Sequence, residues 1–234
     1  MTAAGADEWP TRSLLGTLPL PVRRELLALG TKTRYDQGSV LLSEGARDRH
    51  ILLLLSGLAK VTATVENGES SLLAVRVGGD TLGEMAAMDG APRSATVTAC
   101  GPMTARVLQP GVLHEFLMRR PEVSMALTRI VSYRLRWANR RRLDFRGYPA
   151  KVRLARLLAE LATAYGSSGD DGVVIGCRLT QPELAAFIGA AETTIHKGLR
   201  ELRDEGLLVT GYRSTTIRDL PRLRRLADLA DELP

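Results

Sequence analysis

The chain has 234 residues, 44% hydrophobic and 25% charged, which suits one large or two smaller globular domains, each able to bury a core. The formal net charge of +6 permits a polyanionic partner. The two cysteines, Cys100 and Cys177, make neither a disulfide framework nor a metal spacing and fit a reducing cytoplasm.

The first dozen residues carry no periodic pattern and read as disordered. Residues 13–30 show helical apolar spacing, with Leu14, Leu15, Leu18, Leu20, Leu26, Leu27 and Leu29. From about residue 33 the chain becomes short segments punctuated by glycine. Of these, Val40–Leu42, Ile51–Leu55, Ala59–Val65 and Leu72–Val77 read as strands. Short strands at this spacing predict a barrel or roll. The longest apolar run, Ile51–Leu55, cannot span a bilayer, and no basic region with a following apolar core opens the chain, so neither membrane partner nor signal peptide is expected.

From Gly111 to about Phe145 the pattern is helical. Leu127, Val131, Leu135, Ala138, Arg142 and Phe145 are spaced by 4, 4, 3, 4 and 3 residues, a coiled-coil seam after the first step. This predicts a parallel homodimer; a helix packed on its own domain is the alternative. Arg142 would face its twin across the axis, snorkelling or pairing with Asp144 of the partner subunit. Gly147-Tyr148-Pro149 breaks the helix and reads as a hinge. Leu154, Leu157, Leu158 and Leu161 mark one face of the next helix, and Gly166–Gly172 reads as a polar loop before a strand at Val173–Ile175. Between Tyr133 and Arg156 lie nine Lys/Arg and a single acid, Asp144. This block adds sequence-independent DNA affinity or is simply a solvated face.

Two stretches carry chemistry. Gly83-Glu84-Met85 is followed by Pro92-Arg93-Ser94-Ala95-Thr96. An arginine fork matches phosphate oxygens two at a time, a serine hydroxyl and backbone N–H groups near the glycine complete an anion shell, and Glu84 can accept from a sugar hydroxyl. The alternative is that Arg93 and Glu84 pair with each other in a site without a ligand. Near the C-terminus, Thr180-Gln181-Pro182-Glu183 reads as a capping box, Gly189 as a turn, and Ile195, Leu199 and Leu202 as the buried face of a second helix. That helix turns Glu192, Thr193, Thr194, His196, Lys197 and Arg200 outward, and Gly211–Ser214 closes a hairpin whose Arg213 reaches a phosphate. Scattered His50, His114 and His196, no metal triad and no nucleophile beside a base argue against an enzyme, a haem or a metal.

The first stretch resembles the phosphate-binding cassette of cyclic-nucleotide-binding domains and the second a winged helix-turn-helix. In that order they resemble the Crp/Fnr family of bacterial transcription regulators over nearly the whole chain. The resemblance implies an α+β fold: a jelly-roll sensor domain over 13–120, its eighth strand ending near Leu108, a dimerisation helix over 121–147, and a winged helix-turn-helix over 148–234. It implies a cytoplasmic homodimer with cAMP or another cyclic nucleotide as effector and no metal. Double-stranded DNA is the implied partner, with RNA polymerase a further one. Gly83, Glu84, Met85, Arg93 and Ser94 would hold phosphate and ribose. The Thr-Ser pair that holds adenine in cAMP-binding members is here Ala138 and Asn139, so Asn139 is left to meet the base, and Trp137 stacks on that base or is core. Thr180, Gln181, Glu192, Thr193, Thr194, His196, Lys197, Arg200 and Arg213 would face DNA. Glu192, Thr193 and Lys197 stand where cAMP-responsive members place an Arg-Glu pair and a further Arg, so a different operator is expected. Ala191 stands at an N-cap where the family often has serine, which costs about 1 kcal/mol.

Overall fold

The computed structural model describes residues 9–64, 68, 70–177, 179–211 and 215–228. These form two compact units that divide inside one long helix, between Arg136 and Trp137, with Thr64–Leu72 grouped with the second unit.

The first unit is organised by a strand buried on both faces. In β3 (Ile51–Ser56), Ile51 and Leu53 enter one core while Leu52 and Leu54 enter another, because successive side chains point to opposite sides. The second of these cores lies within the roll. One of its sheets runs β1 (Thr31–Tyr35), β8 (Met103–Leu108), β3, β6 (Thr81–Leu82), and the other β2 (Val40–Leu42), β7 (Thr96–Ala99), β4 (Leu58–Thr64), β5 (Ser70–Val77). The first core joins Ile51, Leu53 and Leu108 to helices: Leu14 from α1 (Leu14–Thr17), Leu26 from α2 (Leu20–Ala28), Phe116 from α4 (Pro110–Arg119), and Val123, Leu127 and Ile130 from α5 (Pro121–Gly147). The short α3 (Glu84–Asp89) follows β6.

In the second unit, α6 (Ala150–Tyr165) buries Leu154, Leu157, Leu158 and Leu161 and packs against α7 (Gln181–Ile188), α8 (Glu192–Asp204) and α9 (Leu220–Leu226). Beside them an antiparallel sheet runs β11 (Leu208–Thr210), β12 (Thr215–Ile217), β10 (Gly172–Ile175), β9 (Gly166–Gly169). The fold is α+β, a jelly roll, a long helix and a winged helix-turn-helix.

Several elements differ from the sequence reading. Strand β1, Thr-Lys-Thr-Arg-Tyr, has no apolar alternation, yet it pairs with β8 from Thr31↔Val107 to Tyr35↔Met103. Gly166–Gly169 is an exposed edge strand held by backbone pairing to β10, not part of a loop. The helical stretch from Gly111 is two helices, parted at Arg120 because Pro121 has no N–H to continue the ladder. Trp9 is anchored, its Nε1 donating to Leu55 O at 3.0 Å. Leu127 is 2% exposed inside the first unit's core, so it is not available to a seam, whereas Val131, Leu135, Ala138, Arg142 and Phe145 are exposed along α5. Asp144 accepts from Arg156 Nη1 at 2.8 Å within the same chain.

Candidate functional site

The cassette closes around Gly83. This residue ends β6 with φ +81, a left-handed conformation that suits glycine, and a Cβ there would overlap Arg93 Nη1. Arg93 Nη1 donates to Gly83 O at 3.0 Å, and Ser94 Oγ lies 3.9 Å from Met85 Sδ, so Gly83, Glu84, Met85, Arg93 and Ser94 form one cluster. Ser94 and Met85 are exposed; Glu84 and Arg93 are buried. Arg93 and Glu84 do not pair with each other. Arg93 Nη2 donates to Asp48 Oδ2 and to His50 O, each at 2.6 Å. Glu84 Oε1 accepts from Arg134 Nη1 at 2.6 Å, and Arg134 Nη2 donates to Thr81 O at 3.1 Å and lies 3.5 Å from Asp80. Thus Glu84, the first residue of α3, is tied to the long helix α5. The Asp48 carboxyl is held below the ordinary carboxylate range, chiefly by its hydrogen bond from Arg93. Burial pushes the neighbouring His50 down.

Sequence reasoning missed Asp48, His50 and Arg134. Asp48 lies between Arg47 and Arg49, where local pattern suggests a solvated charge, and Arg134 is one of nine basic residues in its stretch. Asn139 is exposed on α5, in the part of the helix that belongs to the second unit. Trp137 is partly buried within that unit. Its Nε1 donates to Glu160 Oε2 at 2.8 Å, and its ring lies 5.7 Å from that of Phe187.

The DNA-facing candidates sit on two short helices. Thr180 caps α7 in a complete capping box, Glu183 N donating to its hydroxyl and Thr180 N donating to Glu183 Oε2 at 2.7 Å. Its hydroxyl is therefore committed to the cap, while Gln181 is exposed. Gly189 turns the chain with φ +62. Helix α8 follows without a side-chain cap, as alanine at 191 dictates. Ile195, Leu199 and Leu202 are buried, and Gly198 allows close packing on α6, since a Cβ there would lie 3.1 Å from Leu154 Cδ2. Glu192, Thr193, Thr194, His196, Lys197 and Arg200 all face solvent. Arg213 lies outside the described residues.

The basic block is neither wholly a DNA patch nor wholly a solvated face. Arg134 serves the cassette, and Lys151 pairs with Glu201 of α8 and with Glu205 just past its end, at 3.1 and 2.6 Å. Arg153 and Arg156 bind backbone carbonyls. Arg141 packs against two aromatic rings, 4.8 Å from the Trp137 centroid and 3.4 Å from that of Phe187, and donates to Phe187 O at 2.6 Å. Arg136, Arg140, Arg142 and Arg146 remain exposed. Burial lowers Arg141 to about 10 and raises the Glu160 carboxyl above the ordinary glutamate range, against the opposing bond from Trp137.

A raised folded-state value means that the fold holds the Glu160 proton more tightly than the unfolded chain does. Stability from this group is present at acid pH and is lost as pH rises from the ordinary glutamate range through the raised value. Glu160→Gln keeps an acceptor for Trp137 and removes that loss. Its melting temperature is expected to equal or exceed wild type at neutral pH, with the gap closing on acidification. A variant less stable than wild type at neutral pH would contradict this.

A roll bearing this cassette, followed by a long helix and a winged helix-turn-helix, defines a DNA-binding regulator with a cyclic-nucleotide-binding domain. Residues 32–120 match the family model for the cyclic nucleotide-binding domain, and residues 152–226 match that for the Crp-like helix-turn-helix domain. The chain belongs to the Crp/Fnr family of transcription regulators, which are not enzymes. It is 28% identical over 193 residues to the CRP-like cAMP-activated global transcriptional regulator of Mycobacterium tuberculosis, covering 82% of this chain and 86% of that one. It is 27% identical to the anaerobic regulatory protein of Bacillus subtilis, over 79% of this chain and 78% of that one. A Crp/Fnr-family transcriptional regulator from Thermus thermophilus superposes with a TM-score of 0.69 at 28% identity, covering 85% of this chain and 98% of the other. Among the described residues no helix is long and apolar enough to cross a membrane.

Proposed function

We propose that the chain acts as a cytoplasmic homodimer whose affinity for a palindromic operator is controlled by a cyclic nucleotide, cAMP being the first candidate. The boundaries at 13–120, 121–147 and 148–234 remain our division into sensor, dimerisation helix and DNA-binding domain. The observation that carries this reading is the cassette cluster with Glu84 bound to Arg134 of α5. It gives one loop a phosphate arginine, an exposed serine hydroxyl and a mechanical tie to the helix that leads to the DNA-binding unit. Arg93 and Ser94 would take the cyclic phosphate, with the backbone around Gly83 and Met85. Arg134 occupies Glu84 Oε1, which leaves Oε2 for the ribose hydroxyl. Asn139 of either protomer would meet the base. The exposed row Val131, Leu135, Ala138 and Arg142 would form the seam, its apolar members leaving water on pairing.

The ligand would favour one arrangement of the two DNA-binding units, with recognition helices about 34 Å apart in successive major grooves. That spacing is the general one for helix-turn-helix dimers. Glu192 would accept from cytosine N4 and Lys197 and Arg200 would meet phosphates or guanines, a pattern that selects a different operator from that of cAMP-responsive relatives. RNA polymerase would be a further partner where the site lies at a promoter.

A second reading has its own observation. Arg93 is 2% exposed at its side chain and has three protein acceptors, which suits a regulator that binds DNA without a nucleotide. Calorimetric titration of the dimer with cAMP and with cGMP separates the two. Micromolar binding that Arg93→Ala abolishes, together with a changed affinity for a selected DNA duplex, supports nucleotide control. No heat with either nucleotide, and unchanged DNA binding by Arg93→Ala, supports the second reading.

A further inference from the structure

The cassette arginine already holds an anion. Asp48 Oδ2 accepts from Arg93 Nη2 at 2.6 Å and lies 2.9 Å from His50 Nδ1. The Arg93 side chain is 2% exposed and that of Asp48 41%, so the carboxylate is the solvent-facing half of the pair. The bond is also a poor use of the guanidinium. A single carboxylate oxygen engages Nη2, while Nε is buried with no hydrogen-bond partner. A phosphate presents several oxygens in the geometry that suits an arginine fork, and it can satisfy donors the carboxylate leaves idle.

We propose that Asp48 is an internal competitor for the ligand's phosphate, occupying Arg93 in the free chain and giving way when the ligand binds, so that residue 48 sets the affinity of the cassette. The inference rests on the nucleotide reading of this site. The exchange swaps one monoanion for another when the ligand is a cyclic phosphodiester, so its balance depends on how many donors each anion satisfies rather than on net charge. His50 shares Oδ2 with Arg93, and its imidazole supports the carboxylate in the competing position. A competitor that holds Arg93 in nine chains of ten weakens the apparent affinity about tenfold, because only the free fraction binds.

The test is titration of the full-length dimer and its Asp48→Asn and Asp48→Ala variants with cAMP and cGMP, alongside thermal unfolding of each in inorganic phosphate. Asp48→Asn keeps the shape of the side chain, and Asp48→Ala guards against a new amide contact. The expected result is binding about tenfold tighter than wild type in both variants, abolished when Arg93→Ala is added. Equal or weaker binding in both variants, with wild-type binding intact, overturns the inference and leaves nucleotide control standing. If no protein binds a nucleotide, phosphate decides. Stabilisation of Asp48→Asn but not of wild type, lost on adding Arg93→Ala, supports the competitor and removes the nucleotide reading. No difference between Asp48→Asn and wild type in phosphate overturns the competitor as well.

Discussion

Replacing Arg134 by leucine is expected to destabilise the first unit by about 3–5 kcal/mol, the usual cost of leaving buried charge without its partner. Arg134 is 17% exposed at its side chain, and the two carboxylates it serves, Glu84 and Asp80, are 9% and 10% exposed. Asp80 keeps the N–H of Val77, which donates to Oδ2 at 3.2 Å, so most of the penalty falls on Glu84. The double variant Arg134→Leu with Glu84→Leu should therefore recover most of the loss, since apolar residues of similar volume replace a buried pair at little net cost. Urea unfolding followed at Trp9 reads the first unit alone once Trp137 is replaced by phenylalanine, because these are the chain's two tryptophans and they lie in different units. A loss below about 1 kcal/mol for Arg134→Leu would mean that water reaches Glu84 and that the tie is weak. The pair is also a direct bond between the cassette and α5.

How far the sequence alone led depends on the range of the interactions involved. The helix-turn-helix was legible because Ile195, Leu199 and Leu202 of α8 obey a local period and the capping box of Thr180 and Glu183 at the start of α7 spans one turn. Strand β3 was legible from its unbroken apolar run. Strand β1 was not, because its polar residues are held by backbone pairing to β8, some seventy residues away, and carry no alternation to read. The cassette showed its arginine and glutamate but not their partners, since Asp48 is 45 residues from Arg93 and Arg134 is 50 residues from Glu84. The seam failed at one end for a geometric reason. Leu127 is four residues before Val131, only about 40° away around the helix, so spacing cannot say which of them the roll covers. The structure puts Leu127 under the roll and leaves Val131 outside it.

The second large effect is expected at Arg153, which ties the break between α5 and α6 to the helix-turn-helix. Its Nε donates to Ile188 O at 2.9 Å and its Nη2 to Gly189 O at 3.1 Å, two carbonyls at the C-terminus of α7. Its Nη1 donates to Tyr148 O at 2.8 Å and to Phe145 O at 3.3 Å, at the break between α5 and α6. The end of α7 carries the negative pole of the helix and carbonyls without intrahelical donors, and Arg141 serves the adjacent Phe187 O. Gly189 then sets the direction in which α8 leaves. Arg153→Ala removes up to four charge-assisted bonds, each worth about 1 kcal/mol net once the freed carbonyls are hydrated, so a loss of about 2–3 kcal/mol is expected in the second unit. Trp137 fluorescence in a Trp9→Phe background reads it. DNA affinity should fall by tenfold or more even where the variant is folded, because α8 no longer leaves the turn at a fixed angle. Arg153→Lys should restore little, since an ammonium cannot reach carbonyls on two segments with a planar fork. Rescue by lysine would show that positive charge at the end of α7 suffices, and that the break between α5 and α6 is not held to the helix-turn-helix through this side chain.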